Sequence, residues 1–282
     1  MTRRFSTVSR RKFLQAGAVS TAGAALVGAG HATAFSPGQI GGRPDRRVAS
    51  VKALVFDVFG TVVDWRTSVA REVEEVAKRK GLTVNGEKFA DAWRAEYRPS
   101  MDRVRSGERP WTKLDTLHRM VLDKILIDFR IAGLSEEEID SLNRAWHRLR
   151  PWPDAVSGLT RLKGAFTIAP LSNGNMSLMT DMAKHAGLPW DCILGAELVR
   201  RYKPDREVYQ SAADFLDLKP ADVMMVAAHL GDLRAAKAVG LSTAFVARPL
   251  EYGPNGKPDL KPDSSVDLTA GDFNDLAGQL GV

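Results

Sequence analysis

The run Val51-Lys52-Ala53-Leu54-Val55-Phe56 ends on an aspartate, Asp57, and a Gly60-Thr61 turn follows. Short, apolar and β-branched, it predicts a buried strand with Asp57 at its C-terminal tip. After Pro151 such strands recur between helices. Helices are expected at 154–164, 176–186, 205–216, 232–239 and 272–280, with strands at 166–171, near 192–194, 222–228 and 242–247. This alternation predicts an α/β fold, a doubly wound parallel sheet with a Rossmann-like core.

Between the two parts the pattern is helical. Val69, Val73, Val76 and Ala77 share one face of a first helix, and further helices are expected at 87–104, 111–131 and 135–149, the last capped by Ser135. The expected organisation is a catalytic core of 51–64 and 151–282 with an inserted helical cap of 65–150. The cap would stand over the carboxyl edge of the sheet, where such folds bind ligands.

The formal charge of +6 is concentrated at the N-terminus, where Arg3, Arg4, Arg10, Arg11 and Lys12 face no acid in the first 34 residues. The remaining 35 basic and 34 acidic residues nearly cancel, and no basic stripe suits nucleic acid. Ser9-Arg10-Arg11-Lys12-Phe13-Leu14-Gln15 resembles the twin-arginine export signal. A weakly apolar Ala/Gly run from Ala16 to Gly30 and the small residues Ala32-Thr33-Ala34 follow it. Residues 1–34 are therefore expected to be a signal peptide used by the twin-arginine export machinery and cleaved near Ala34. Residues 35–50 would be a linker, and the mature protein periplasmic or otherwise exported. The Ala/Gly run is too short for a stable membrane anchor. A single cysteine, Cys192, excludes an intrachain disulfide. A homodimer is left open.

Four fragments end or follow expected strands: Phe56-Asp57-Val58-Phe59-Gly60-Thr61, Leu171-Ser172-Asn173-Gly174, Tyr202-Lys203-Pro204-Asp205 and Ala228-His229-Leu230-Gly231-Asp232. A parallel sheet would gather them at one edge, placing acids, a hydroxyl, an amide and an ammonium in one cleft. In this order, with a helical insertion after the first, they resemble the haloacid dehalogenase superfamily over roughly residues 51–280. Asp57 matches its nucleophile, Ser172 its hydroxyl, Lys203 its lysine and Asp232 its final acid.

Phosphatases of that superfamily carry a second Asp two residues after the nucleophile, and here Phe59 stands there. Phosphoryl transfer needs a cation, and Asp57 with Asp232 makes a poor Mg²⁺ cage, Ala236 adding nothing. Neither metal nor cofactor is expected, and His31, His118, His147 and His185 show no metal-ligand spacing. The pattern resembles the (S)-2-haloacid dehalogenase subfamily, in which an aromatic residue takes this place and an Arg of a Trp-Arg pair on the cap, here Trp93-Arg94, meets the departing halide.

The resemblance implies hydrolysis of small 2-haloacids to 2-hydroxy acids. Asp57 would attack carbon to form an ester, while Arg94, Asn173 and Phe59 receive the halide and Ser172 holds the substrate carboxylate. Water would then open the ester, with Asp232 as base and Lys203 organising the acids. Thr61 would bond the nucleophile, and Tyr209 matches the subfamily as well. Ala227 and His229 depart from the Ser and Asn that place the hydrolytic water in those enzymes; His229 can donate or accept in their stead. Trp65, Trp111 and Trp146 are expected to pack the cap. Two alternatives stay open: a phosphomonoesterase of the same superfamily, and a non-catalytic periplasmic binder of small carboxylates.

Overall fold

Strand β1 (Ala53–Phe56) forms where expected, and all four residues are buried. The computed structural model describes residues 50–282 except 263 and 265. The expected export signal, and all of the expected linker but Ser50, lie outside the described residues.

A two-residue strand β2 (Val63–Asp64) leads from β1 into the helical segment and pairs antiparallel with β3 (Arg150–Pro151), which leads out of it. This pair clamps the two connecting chains together. Helix α1 (Trp65–Arg79) starts where the Asp64 carboxylate accepts the Thr67 N–H, and it buries Trp65, Val69, Val73, Val76 and Ala77 along one stripe. The helix expected at 87–104 is two, α2 (Gly86–Ala95) and α3 (Tyr97–Arg105). Pro99 has no N–H and its ring would strike the carbonyl of residue 95, so one continuous helix cannot run through. Helix α4 (Leu114–Asp128) is shorter than the expected 111–131. Ser135 and Glu138 form a reciprocal capping box on α5 (Glu136–Asn143). That helix stops well before 149 and tightens into a 3-10 turn over Arg144–Arg148.

The core then alternates: α6 (Ala155–Lys163), β4 (Thr167–Ser172), α7 (Met176–Ala186), β5 (Leu194–Gly195), a single turn α8 (Ala196–Val199) and α9 (Arg206–Phe215). After these come β6 (Val223–Ala227), α10 (Leu230–Ala238), β7 (Ser242–Val246), β8 (Leu268–Ala270) and α11 (Phe273–Gln279). The strands form one parallel sheet in the order β5-β4-β1-β6-β7-β8. Strand β8 extends the edge beyond the strands read from sequence. Along β1, Leu54 and Phe56 enter one apolar cluster while Ala53 and Val55 enter the other. The sheet is thus covered on both faces, which is why its strands read as unbroken apolar runs. From β1 the chain first moves out through β4 to β5, then returns to β6 on the opposite side. Asp57 lies at that switch point, where strand ends leave a crevice. No helix among the described residues is long and apolar enough to cross a membrane.

Candidate active site

The Asp57 N–H prolongs the ladder by donating to the Val226 carbonyl at 3.0 Å. Beyond it the chain turns sharply at Gly60, whose φ is +88°, and Gly60 N–H donates to Val63 O at 3.0 Å. The turn carries Thr61 back under Asp57: its Oγ1 donates to Asp57 Oδ2 at 2.7 Å and accepts the Ala228 N–H at 3.0 Å. Thr61 thereby ties the end of β1 to the end of β6.

Lys203 reaches in from the segment before α9, and its Nζ lies 3.0 Å from Asp57 Oδ1 and 2.6 Å from Asp232 Oδ2. The Tyr209 hydroxyl, one turn into α9, donates to Asp232 Oδ1. Asn173 braces the lysine by accepting its backbone N–H at 2.8 Å. Helix α10 begins two residues earlier than the expected 232, with His229 as N-cap. Asp232 is therefore in the first turn, its side chain committed to Lys203 and Tyr209 rather than capping.

His229 bridges two carboxylates, Nδ1 lying 3.0 Å from Asp57 Oδ2 and Nε2 2.9 Å from Glu251 Oε2. Glu251 is only 1% exposed and also accepts the Trp65 indole N–H at 3.3 Å. Sequence reasoning missed Glu251. It stands alone on a loop after β7, with no motif or periodicity to mark it.

Burial alone would push the Asp57 carboxyl up; the Lys203 ammonium, with His229 and Thr61, overrides this and holds it far below the carboxylate range. Burial would lower Lys203, but Asp232 and Asp57 raise it, so the ammonium stays charged. Asp232 is raised, by burial first and by the nearby Asp57 charge. Burial also opposes protonation of His229, yet bonds to Asp57 and Glu251 push it up to about 10. At neutral pH an ionised Asp57 is thus flanked by two cations.

These groups open onto a cavity of about 710 Å³ between the sheet edge and the first cap helices. Asp57, Phe59, Arg94, Asn173, Lys203, Tyr209, His229 and Asp232 line it, joined by Trp65, Tyr97 and Tyr252. The Arg94 guanidinium sits 3.9 Å from the Tyr97 ring centre, 5.4 Å from Trp65 and 5.9 Å from Phe59. Its Nη1 is buried with no hydrogen-bond partner. Trp65 therefore lines the cavity as well as packing the cap, whereas Trp146 is wholly buried against Phe59, Trp65 and Trp93. Trp111 packs on Tyr202 with ring centres 4.8 Å apart. Two expected site residues, Thr61 and Ser172, are fully buried behind the cavity wall. Ser172 lies at the end of β4 and accepts the Gly174 N–H at 3.1 Å.

The donor set does not fit Mg²⁺. Both Asp57 oxygens and both Asp232 oxygens already take protein donors. A third cation beside Lys203 and His229 would be repelled, and Phe59 offers no oxygen.

Residues 51–240 match the family described as haloacid dehalogenase-like hydrolase. The (S)-2-haloacid dehalogenase 1 of Pseudomonas sp. (strain CBS-3) is 33% identical over 217 residues, covering 72% of this chain and 88% of its own. The crystal structure of a defluorinating L-2-haloacid dehalogenase superposes with a TM-score of 0.80 at 52% identity, over 82% of this chain and 96% of its own. The L-2-haloacid dehalogenase of Xanthobacter autotrophicus, solved with chloropropionic acid covalently bound, gives a TM-score of 0.68 at 25% identity, over 82% of this chain and 98% of its own. With the Asp57 loop, the lysine-linked acids and the capping helices assembled as described, the chain belongs to the haloacid dehalogenase-like hydrolases, alongside the (S)-2-haloacid dehalogenases.

Proposed function

We propose that this protein hydrolyses small 2-haloacids to 2-hydroxy acids, with Asp57 displacing the halide to form an ester that water then opens. The observation that carries this reading is Arg94. Its half-buried side chain, ringed by Phe59, Trp65 and Tyr97, keeps one buried nitrogen without a partner in the cavity that holds the ionised Asp57. A buried cationic donor left unpaired is costly, and an emerging halide would satisfy it. A guanidinium among aromatic faces suits a polarisable, weakly hydrated anion. Asn173, the member of its fragment that faces the cavity, would hold the substrate carboxylate, with Ser172 bracing the turn behind it. Lys203 keeps Asp57 ionised and ready to attack. The covalent adduct of the Xanthobacter autotrophicus relative supports a route through an enzyme-bound intermediate.

The test is a single turnover in ¹⁸O water with enzyme in excess over chloroacetate. Unlabelled product with label entering Asp57 is expected; label in the first-turnover product would rule out the ester. Multiple turnover with halide release separates this reading from a carboxylate binder, and phosphate release dependent on Mg²⁺ would favour a phosphatase.

We further propose twin-arginine export to the periplasm with cleavage near Ala34, on the strength of Ser9 to Gln15 and the small residues Ala32-Thr33-Ala34. N-terminal sequencing of the periplasmic fraction should begin near Phe35. Light scattering on that material tests for a homodimer.

A further inference from the structure

Resting on the displacement chemistry above, we propose that His229, aligned by Glu251, is the base that activates the hydrolytic water, and that esterification of Asp57 is what makes it competent. Asp232 is poorly placed for that task. Lys203 occupies one of its oxygens and Tyr209 the other. Ala227 is fully buried and has no polar side chain to hold water. His229 lines the cavity and touches the reacting carboxylate itself.

The arrangement runs nucleophile, imidazole, acid. Nδ1 faces Asp57 Oδ2 at 3.0 Å, and Nε2 faces the Glu251 oxygens at 2.9 and 3.0 Å. Glu251 is itself held by the Trp65 indole and pressed against the backbone of Gly60. It therefore fixes both the ring plane and the tautomer, with the Nε2 proton directed at Glu251 and Nδ1 turned to the nucleophile.

Before reaction both carboxylates keep the imidazole protonated, and this cation balances the anionic substrate as it enters. The ester erases the Asp57 charge and one of the two reasons for that protonation. The Nδ1 proton then leaves to solvent, and a lone pair is exposed beside the ester carbonyl. A water oxygen bonds to the Asp57 Cγ while one of its protons passes to Nδ1. The bond from Cγ to the substrate oxygen breaks, and the departing alkoxide takes the proton back from Nδ1 to become the 2-hydroxy acid. The second water proton, left on the Asp57 carboxyl, passes to Nδ1 and restores both the carboxylate and the resting imidazolium. One water is consumed, and one halide and one proton are released. The charged groups acting directly on His229 are Asp57 and Glu251; Lys203, Asp232 and Arg94 line the same cavity.

The experiment follows (S)-2-chloropropionate by rapid-quench chloride release and intact-protein mass. His229→Gln should release one chloride per site at a rate within about tenfold of wild type. It should then stall as the Asp57 ester, with turnover down on the order of 10²–10⁴-fold, the range of a lost general base. Added imidazole should speed ester decay in His229→Ala. Glu251→Gln should keep the burst, slow decay, and move the acid limb of decay to lower pH, because losing the anion lowers the imidazole pKa. The proposal fails if folded His229→Gln turns over like wild type or forms no ester. It also fails if Asp232→Asn, and not His229→Gln, traps the ester. Should His229→Gln not fold, Glu251→Gln decides: an unmoved acid limb overturns the proposal. Absence of both chloride and adduct with the wild-type protein would instead sink the dehalogenase reading.

Discussion

Glu251 lies so close to Gly60 that a β-carbon built on the glycine would fall 2.1 Å from Oε1. Two demands meet at this position, the left-handed φ of +88° and the close approach of a buried acid. The turn that follows Asp57 and the acid that bonds His229 are one packed unit.

Gly60→Ala should therefore fail on both counts. Positive φ costs an L-residue about 1–2 kcal/mol, and overpacking adds about 1–3. Urea unfolding should show a loss of about 2–5 kcal/mol, and halide release should fall with it as Glu251 is displaced. A variant with wild-type stability would show that the contact is slack.

Lys203 is 8% exposed and stands between Asp57, 7% exposed, and Asp232. Lys203→Met leaves the buried Asp232 without a cation and Asp57 with His229 alone, a change worth about 3–5 kcal/mol at pH 8. In the variant their pKa values should rise above those of the unfolded chain, so protonation restores stability. Its deficit against wild type should then shrink at pH 5. Halide release should fall by on the order of 10³-fold, as expected for loss of a buried charge partner.

Arg94→Leu removes the buried donor but keeps an apolar side chain beneath Tyr97. Turnover of chloro- and bromoacids should drop by about 10²–10³-fold, and competitive inhibition by added bromide should disappear. Arg94→Lys should recover little, because an ammonium neither stacks on the rings nor presents a planar fork. Unchanged bromide inhibition in Arg94→Leu would place the halide elsewhere.

His147, in the 3-10 turn, lies 2.9 Å from Asp181 in α7 and 3.1 Å from Asp115 in α4, linking the helical insertion to the sheet domain. Burial would lower its pKa, but the two acids raise it. A raised folded value means the stabilisation is complete below the unfolded pKa of about 6.5 and is lost as pH climbs through the folded one. The urea midpoint gap between wild type and His147→Gln should accordingly be wider at pH 6 than at pH 9. An equal gap at both would mean that folding does not shift the His147 pKa.

Much of this was written in the chain order. Apolar runs flanked by helices announced the parallel sheet, and Asp57, Lys203 and Asp232 could be paired as site residues because a parallel sheet brings strand ends together. Trp93-Arg94 marked the cap's contribution, and Phe59 the missing acid. Strands β2 and β3 are too short to show periodicity, and Pro99 split a helix whose apolar pattern ran on without a break.

The particulars of the chemistry belong to the assembled molecule. Ser172 turned inward to brace its own loop, Trp65 served both packing and cavity, and His229 found its partner in a glutamate 22 residues further on. Local sequence encodes which segments are strands and which ends carry acids, because periodicity and turn chemistry act over a few residues. Whether an imidazole meets a second carboxylate, and hence what charge it bears, depends on burial and on distances between loops that nothing local constrains.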